Sequence, residues 1–338
     1  MKKNKLPIGK LQIEHLDRML QKYQVPGDRV IVGAGIGKDA AVIDWGEKYL
    51  VAKTDPITFV TDEIGFYAVT INANDIACTG GTPKWFMAAL LLPEGETGPE
   101  LVDTIMNQIS ATCEAMGIGL VGGHTEITHG IDRPIVVGQM LGEVEREALV
   151  RPENIRVGDL IILTKGIAIE AVSIIAREKE AEVASVFGEE FLKKAANFLH
   201  EPGIGVLKEA RIAARTAQIH GMHDPTEGGL MMGLHELARS AEVSLEILAG
   251  QIRVLEETQK LCGHFKLDPL GTIASGALII VTDPVNADAV VKSLRQEAIS
   301  AEIIGTVLPP GKGVLFRRGS DVRPAPWFER DELTKIFE

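Results

Sequence analysis

Three aspartates in the first half of the chain lie beside small residues, near the edges of apolar segments. Asp39 follows a glycine-rich turn, Asp55 ends a strand-like segment, and Asp75 lies within Thr70–Ala77. Carboxylates that a fold brings together repel one another, and a shared Mg²⁺ would neutralise them through the oxygen ligands that it prefers. The alternative is that Asp39 and Asp55 cap turns and that Asn72 and Asp75 are solvated residues of a surface helix.

Other polar residues accompany the aspartates at spacings that suit a ligand. Asn72 precedes Asp75 by three positions, so both side chains project from one face of a helix. The glycine runs Val121–Glu126 and His223–Gly229 would let backbone N–H groups approach phosphate oxygens, the second run at the start of a helix. For each run, the alternative is a tight turn followed by a helix cap.

Two familiar phosphate-binding motifs are ruled out by their spacing. The segment Val30–Gly37 resembles the glycine turn of a dinucleotide-binding fold, but the third glycine position is Lys38 and strand-like residues follow instead of a helix. A P-loop would need a glycine at the position of Val32 and a hydroxyl at that of Asp39. We therefore expect neither a nicotinamide or flavin site nor a Walker A loop.

The composition limits the classes of partner. The formal charge of −12 argues against a broad nucleic-acid footprint or an anionic membrane surface as partner, and we expect neither. No apolar stretch is long enough to span a bilayer. The three cysteines form no CxxC pair, as expected for reduced thiols in a cytoplasmic protein.

The pattern of apolar residues predicts sheets with layered helices in both halves of the chain, an α+β arrangement. Strands are predicted at 29–32, 40–43, 49–52, 119–121, 134–139, 160–163, 277–282, 302–307 and 314–317. Helices are predicted at 11–23, 65–78, 99–116, 168–178, 189–199, 203–217 and 228–241. A polar segment around residues 146–157 marks a boundary between a domain over 1–150 and a domain over 151–338.

The order of short motifs resembles one superfamily, the ATP-dependent synthases related to aminoimidazole ribonucleotide (AIR) synthetase, HypE, thiamine-monophosphate kinase and selenophosphate synthetase. The resemblance covers nearly the whole chain and is greatest to the HypE branch. The motifs that carry it are Gly37–Val42, Thr54–Pro56, Asn74–Pro83, Gly122–Thr125, Asp224–Leu230 and Ser275–Leu278.

The resemblance implies a two-domain PurM-like fold. Its N-terminal mixed α/β domain pairs its sheet with a second copy in a homodimer, and its C-terminal domain is α/β. It also implies that ATP lies in a cleft between the domains, with Mg²⁺ held by Asp39, Asp55 and Asp75, and with Asp224 and Glu227 in catalytic roles. The residues then expected to contact the nucleotide are Lys38, Asn72, Gly122, Gly123, His124, Thr125, Gly228 and Gly229.

Three features depart from the pattern of the superfamily. Lys38 stands where many relatives have a second aspartate, and His124 stands where many have an acid, so the number of metal ions is open. No cysteine follows Cys262, whereas HypE relatives that make a nitrile group end in a cysteine-bearing tail, so we expect no thiocarbamate carrier here.

The function that the resemblance implies is phosphoryl transfer from ATP to an amide-like or other oxygen of a small-molecule or protein-borne substrate. Two alternatives are a non-catalytic nucleotide-binding scaffold of the same fold and a thiamine-monophosphate kinase.

Overall fold

The structure, a computed structural model, describes residues 11–23, 25 and 27–337. It divides into two compact units, each formed from more than one stretch of chain. The N-terminal unit contains Gly27–Gly33 and Asp39–Leu149. The C-terminal unit contains Ala34–Lys38, the chain from Val150 onwards and the described residues before Gly27, which include helix α1 (Ile13–Tyr23).

The N-terminal unit contains a six-stranded sheet and two helices. Its elements are β1 (Val30–Val32), β2 (Ala41–Asp44), β3 (Lys48–Ile57), α2 (Ile64–Cys78), β4 (Thr82–Pro93), α3 (Pro99–Met116), β5 (Gly119–Thr128) and β6 (Ile135–Glu145). The strand order is β1-β2-β3-β6-β4-β5, in which β4 and β5 run parallel and the other neighbours run antiparallel.

Helix α2 is buried along nearly its whole length. Apart from Asn72, Asn74 and Asp75 its residues are apolar or small, which is typical of a helix enclosed by other elements. It packs on α3 and on strands β3 and β6, and a Cβ on Gly65 would lie only 2.7 Å from the carbonyl oxygen of Ile105 in α3. The interpretation of Asn72 and Asp75 as solvated residues of a surface helix is therefore wrong, because both are buried.

Strands β3, β5 and β6 are longer than their apolar segments predict, and β4 is not predicted at all. The glycines after α2 do end the helix, but the chain enters a strand at Thr82 instead of a loop. Pro83 is tolerated there because the register with β6 shifts between Pro83 and Trp85, an irregularity at which a missing N–H is acceptable.

The C-terminal unit contains a seven-stranded sheet in the order β13-β12-β9-β11-β7-β10-β8. Strands β9 and β12 run parallel, and the other neighbours run antiparallel. The strands are β7 (Leu160–Thr164), β8 (Gly221–His223), β9 (Ser244–Leu248), β10 (Ile279–Thr282), β11 (Ala301–Leu308), β12 (Val314–Arg318) and β13 (Asp321–Pro324). The helices are α4 (Ile169–Glu178), α5 (Glu180–Phe187), α6 (Glu189–Ala196), α7 (Leu207–Thr216), α8 (Gly229–Ser240), α9 (Glu256–Phe265) and α10 (Pro284–Gln296).

The core of this unit lies between the sheet and helix α8. Leu230, Leu234 and Leu237 recur at helical spacing on α8 and pack with alternate residues of the central strands, such as Ile161 and Ile279. A smaller apolar cluster joins distant parts of the chain, because Ile13 of α1, Ile36 and Met232 pack together. The ion pair of Asp17 with Arg239 adds a second link between α1 and α8.

The helices that the sequence predicts in this unit lie at the right positions, but the bounds of some of them differ from the prediction. The helix predicted from 189 to 199 ends at Ala196 and continues as a 3-10 turn, and the helix predicted from 203 begins only at Leu207. Helices α5, α9 and α10 and strands β8, β9 and β13 are not predicted, because short amphipathic segments between the clear signals look like loops.

The predicted α+β class is confirmed, since each unit combines a largely antiparallel sheet with packed helices. Within the described part of the chain, no helix is both long enough and apolar enough to cross a bilayer.

Adjacent glycines in β5 provide a test of the β4–β5 pairing. A Cβ on Gly123 would lie 2.1 Å from the carbonyl oxygen of Ala88, whereas a Cβ on Gly122 would meet nothing within 4 Å. We expect Gly123→Ala to lower the free energy of unfolding by about 2 kcal/mol or more through overpacking. The matched variant Gly122→Ala should stay within about 0.5 kcal/mol of the wild type.

Denaturant unfolding of the two variants without ligand checks this. Equal stabilities for both would contradict the pairing of β5 with β4.

Candidate functional site

Strand β3 carries two charged side chains on the face that packs against helix α2. Lys53 and Asp55 are two residues apart, so the alternation of a strand directs both side chains to one face. Val51 and Ile57 share that face and are buried. The sequence therefore places an ammonium and a carboxylate at the junction between sheet and helix.

Asp75 approaches the same place from α2. Lys53 Nζ lies 3.1 Å from Asp75 Oδ1 and 3.4 Å from Asp55 Oδ2. Only 6% of Asp75 is exposed, so its charge is largely shielded from solvent. One ammonium thus pairs with two carboxylates from different elements.

Asp39, which precedes β2, acts on the same ammonium. Burial alone would lower the pKa of Lys53, but the charges of Asp75, Asp55 and Asp39 outweigh it and hold that pKa above its ordinary value. We call Asp39, Asp55 and Asp75 the aspartate cluster. Asp55 and Asp75 contact the ammonium of Lys53, whereas Asp39 acts on it through its charge. Sequence reasoning missed Lys53, although it lies two positions before Asp55.

Asn72 connects helix α2 to strand β3. Its amide Nδ2 donates to the carbonyl oxygen of Ala68 at 2.8 Å and to the backbone oxygen of Asp55 at 3.3 Å. Gly138 on β6 makes room for this amide, because a Cβ there would lie 2.3 Å from Asn72 Nδ2. The amide therefore fixes the backbone of Asp55, and its Oδ1 atom is the group left for a ligand.

Lys38 lies in the C-terminal unit, where its Nζ donates to Glu153 Oε1 at 2.9 Å. Burial would raise the pKa of Glu153, but this bond and the charge of Lys38 hold the pKa below its ordinary value. Lys38 and Lys53 therefore have different partners, although the sequence singled out only Lys38.

The run Gly122–Thr125 lies inside β5, so the tight turn that is the alternative for this run does not form. This strand is the last of the sheet and is exposed along nearly its whole length. His124 Nε2 lies 3.2 Å from Glu126 Oε2. The hydroxyl of Thr128 and the ring of His124 both lower the pKa of Glu126. The carboxylate therefore remains charged on an open surface.

The second glycine run forms a turn between β8 and α8, as its sequence predicts. Asp224 is buried, Glu227 is half-buried, and Gly228 and Gly229 both have positive φ angles. Side chains are excluded at both glycines, because a Cβ on Gly229 would lie 2.6 Å from the carbonyl oxygen of Leu270. The turn places these four predicted residues at the N-terminus of α8.

Asp331 closes this helix N-terminus from a distant part of the chain. The backbone N–H of Gly228 donates to Asp331 Oδ2 at 2.6 Å, and that of Leu333 donates to Oδ1 at 2.8 Å. Burial raises the pKa of Asp331 to about 6, although these bonds oppose the shift, and the charge of Glu227 adds to it. No sequence signal identifies Asp331, because its partner lies far away in the chain.

Comparison with protein families agrees with this architecture. Residues 37–144 match the family described as AIR synthase related protein, N-terminal domain, and residues 156–318 match its C-terminal domain. The chain belongs to the AIR synthase-related superfamily of enzymes.

Individual relatives refine the comparison. The chain is 28% identical over 84% of its length to a putative hydrogenase expression/formation protein of Methanocaldococcus jannaschii, covering 85% of that protein. It is 29% identical over 85% of its length to carbamoyl dehydratase HypE of Azotobacter vinelandii, covering 77% of it. A solved structure of HypE in complex with ATP shares the fold, with a TM-score of 0.71, 20% identity and coverage of 96% of this chain and 94% of that one. These similarities lie in the HypE-like branch of the superfamily.

The burial of Asp331 makes a pH-dependent contribution to stability, because it favours the uncharged carboxyl. Because the pKa in the folded state is raised, the protonated carboxyl is favoured there, so the contribution is full below pH 4 and is lost as the pH rises through about 6. Relative to Asp331→Asn, the wild type should lose up to about 3 kcal/mol between pH 4 and pH 7.

Urea unfolding of both proteins across this range measures the difference. The exposed residue Glu329 on the same segment provides the control, and Glu329→Gln should follow the wild type at every pH. A constant difference between wild type and Asp331→Asn would refute the assignment.

Proposed function

We propose that the chain is a Mg²⁺-dependent, ATP-using enzyme that activates an amide-like or other oxygen by phosphoryl transfer. The observation that carries the proposal is the aspartate cluster in the N-terminal unit, where two carboxylates contact one ammonium and a third acts on it through its charge. The relative named carbamoyl dehydratase and the fold match that holds ATP support it. The substrate would be a small molecule or a group carried by a protein.

The aspartate cluster offers the kind of ligand atom that a magnesium ion prefers. Carboxylate oxygens are the hard ligands that Mg²⁺ prefers, and three carboxylates with one ammonium leave two net negative charges for a divalent ion to balance. Asn72 adds a buried oxygen, Oδ1, which has no hydrogen-bond partner among the described residues. Asp39, Asp55 and Asp75 would hold the ion, which would neutralise charge on the phosphates of ATP.

The remaining predicted residues would position the nucleotide. Gly122, Gly123, His124 and Thr125 form an accessible stretch of β5. Lys38 and the N–H of Gly228 would contact the nucleotide only after leaving their present partners. Lys38 pairs with Glu153, and the N–H of Gly228 donates to Asp331. Gly229 follows in the same turn.

The chemistry would be positioning and charge neutralisation more than covalent catalysis. The substrate oxygen would take the terminal phosphoryl group of ATP as ADP leaves, which converts that oxygen into a departing phosphate. Asp224 and Glu227 are our candidates for holding and accepting the substrate proton, since they flank the turn before α8.

A homodimer formed through β5 is part of the proposal. Val121 is 54% exposed and Ile127 is 56% exposed on this strand, and the sheet of the described residues ends there. An exposed edge strand with apolar side chains favours pairing with another strand, and a second copy of the chain offers an identical edge.

The aspartate cluster can be tested by substitution. Asp75→Asn removes one carboxylate charge and should weaken Mg²⁺-dependent ATP binding at least tenfold, since each lost carboxylate reduces the attraction for the ion. Asp103→Asn makes the same change on the exposed face of α3 and should have no effect. Isothermal titration with and without Mg²⁺ measures both.

Unaltered Mg²⁺-dependent binding in Asp75→Asn, or none in the wild type, would refute the proposal. ADP formation by the wild type distinguishes an enzyme from a nucleotide-binding scaffold.

The dimer is tested by placing charge on β5. Val121→Lys should shift the protein from dimer to monomer in sedimentation velocity, because a lysine at a strand-pairing edge opposes association. Val285→Lys, at an exposed position on α10, should leave the dimer intact. A monomeric wild type would exclude this interface.

A further inference from the structure

Residues 327–337, which we call the C-terminal strap, pack on helix α8 and on the loop that follows α9. Trp327 packs on His235 of α8, with the two ring centroids 4.9 Å apart. Phe328 packs on Gly271, where a Cβ would lie 2.3 Å from the phenyl ring. The strap is therefore attached by side chains close to the candidate turn before α8.

Asp331 is the residue of the strap that reaches the N-terminus of α8. The backbone N–H groups of Gly228 and Ile273 both donate to its carboxyl group, that of Gly228 at 2.6 Å. Backbone N–H groups at the start of a helix are the groups that bind phosphate oxygens in nucleotide sites. In this chain an oxygen from a distant segment of the same chain accepts these hydrogen bonds.

We propose that the C-terminal strap is autoinhibitory, because Asp331 competes with a phosphate oxygen of ATP for the N–H groups of Gly228 and Ile273, and that ATP displaces the strap. The inference rests on the proposed function, because it concerns the same nucleotide. It assigns a regulatory role to a segment that the proposed function does not use, and Asp331 itself does not touch the reacting atoms.

Ser275 gives an independent indication of a ligand beside this turn. The segment 272–275 lies against the turn, because the N–H of Ala274 donates to the carbonyl oxygen of Thr226 at 3.3 Å. Ser275 is only 1% exposed, and its hydroxyl has no hydrogen-bond partner among the described residues. Buried hydroxyls are nearly always hydrogen-bonded in folded proteins, so this one is left for a group from outside the chain.

The surroundings of Asp331 weaken its hold on the turn. Burial raises the pKa of Asp331 to about 6, and the charge of Glu227 adds to the shift. At pH 7 the carboxyl group is therefore ionised in a place that favours its neutral form. A phosphate of Mg²⁺-bound ATP has part of its charge neutralised by the ion, so the same repulsion opposes it less. That difference is what allows a ligand to shift the strap from its bound position.

The first experiment separates occupancy of the N–H groups from charge. ATP with Mg²⁺ is titrated at pH 7 into the full-length wild type, Asp331→Ala, Asp331→Asn and Glu329→Gln by isothermal calorimetry. Asp331→Ala removes the competing oxygen. Asp331→Asn keeps an oxygen for the N–H groups and removes only the charge. Glu329→Gln removes a charge from an exposed position of the strap.

We expect Asp331→Ala to bind ATP at least fivefold more tightly than the wild type. Asp331→Asn should bind no more tightly than the wild type, because its neutral side chain still occupies the N–H groups and is not repelled by Glu227. Glu329→Gln should bind like the wild type. Tighter binding by both Asp331 variants would indicate an effect of charge alone and would overturn the competition.

Hydrogen exchange reports the movement of the strap without any substitution. The backbone N–H of Asp268 donates to Glu332 of the strap at 3.0 Å. Saturating ATP and Mg²⁺ should speed exchange of the Asp268 amide in the wild type at least threefold. The amide of Gly228 should stay protected, because a phosphate oxygen replaces the carboxylate. Unchanged exchange at Asp268 when ATP is bound would overturn the displacement of the strap, even if Asp331→Ala fails to fold.

The outcomes distinguish this inference from the proposed function. Equal ATP affinities of the wild type and Asp331→Ala would overturn the autoinhibitory strap and leave the proposed function intact. The absence of ATP binding in both proteins would overturn the proposed function, and the inference with it.

Discussion

The repulsion between carboxylates in a partly buried place is the constraint on which the N-terminal unit depends. Asp39, Asp55 and Asp75 act on one ammonium, and burial makes each uncompensated charge costly. The fold meets this constraint by placing Lys53 in the same strand as Asp55, two residues away, so that the pleat aims both charges at one helix. Removing Lys53 therefore makes the net charge of this group more negative, whereas removing one of the aspartates makes it less negative.

Helix α2 makes this arrangement possible because it is buried and still carries polar groups. Its small and apolar residues allow contact with β3, β6 and α3, while Asn72 uses its amide to hold the backbone of Asp55. In the C-terminal unit, Asp331 holds the backbone of the turn before α8 in the same way, because it accepts a hydrogen bond from the N–H of Gly228. In both units a polar side chain from one element fixes the backbone of another.

The elements with strong local signals could be predicted from the sequence, and the residues that depend on pairing could not. Helix α3 has the predicted bounds because Pro99 begins it and Gly117, with a positive φ angle, ends it. Lys53 is not identified from the sequence, because no local pattern shows that Asp75 of a later helix lies beside it. Gly122 and Gly123 look like a loop, yet Gly123 is needed for the close approach of β5 to β4. Asp331 contacts a residue far away in sequence, and no local pattern reports such a contact.

The chain does not complete one unit before it starts the next. Helix α1 and residues Ala34–Lys38 are synthesised first, yet the smaller apolar cluster needs Met232, and the ion pair of Asp17 needs Arg239. During synthesis these early segments therefore remain without their native partners until the whole N-terminal unit has emerged from the ribosome. Contacts between such distant positions slow folding, because long loops close before the contacts form. A cut at the junction near residue 150 would leave the N-terminal unit whole but would separate the C-terminal unit from α1 and Ala34–Lys38, so the chain from Val150 onwards is not a complete unit.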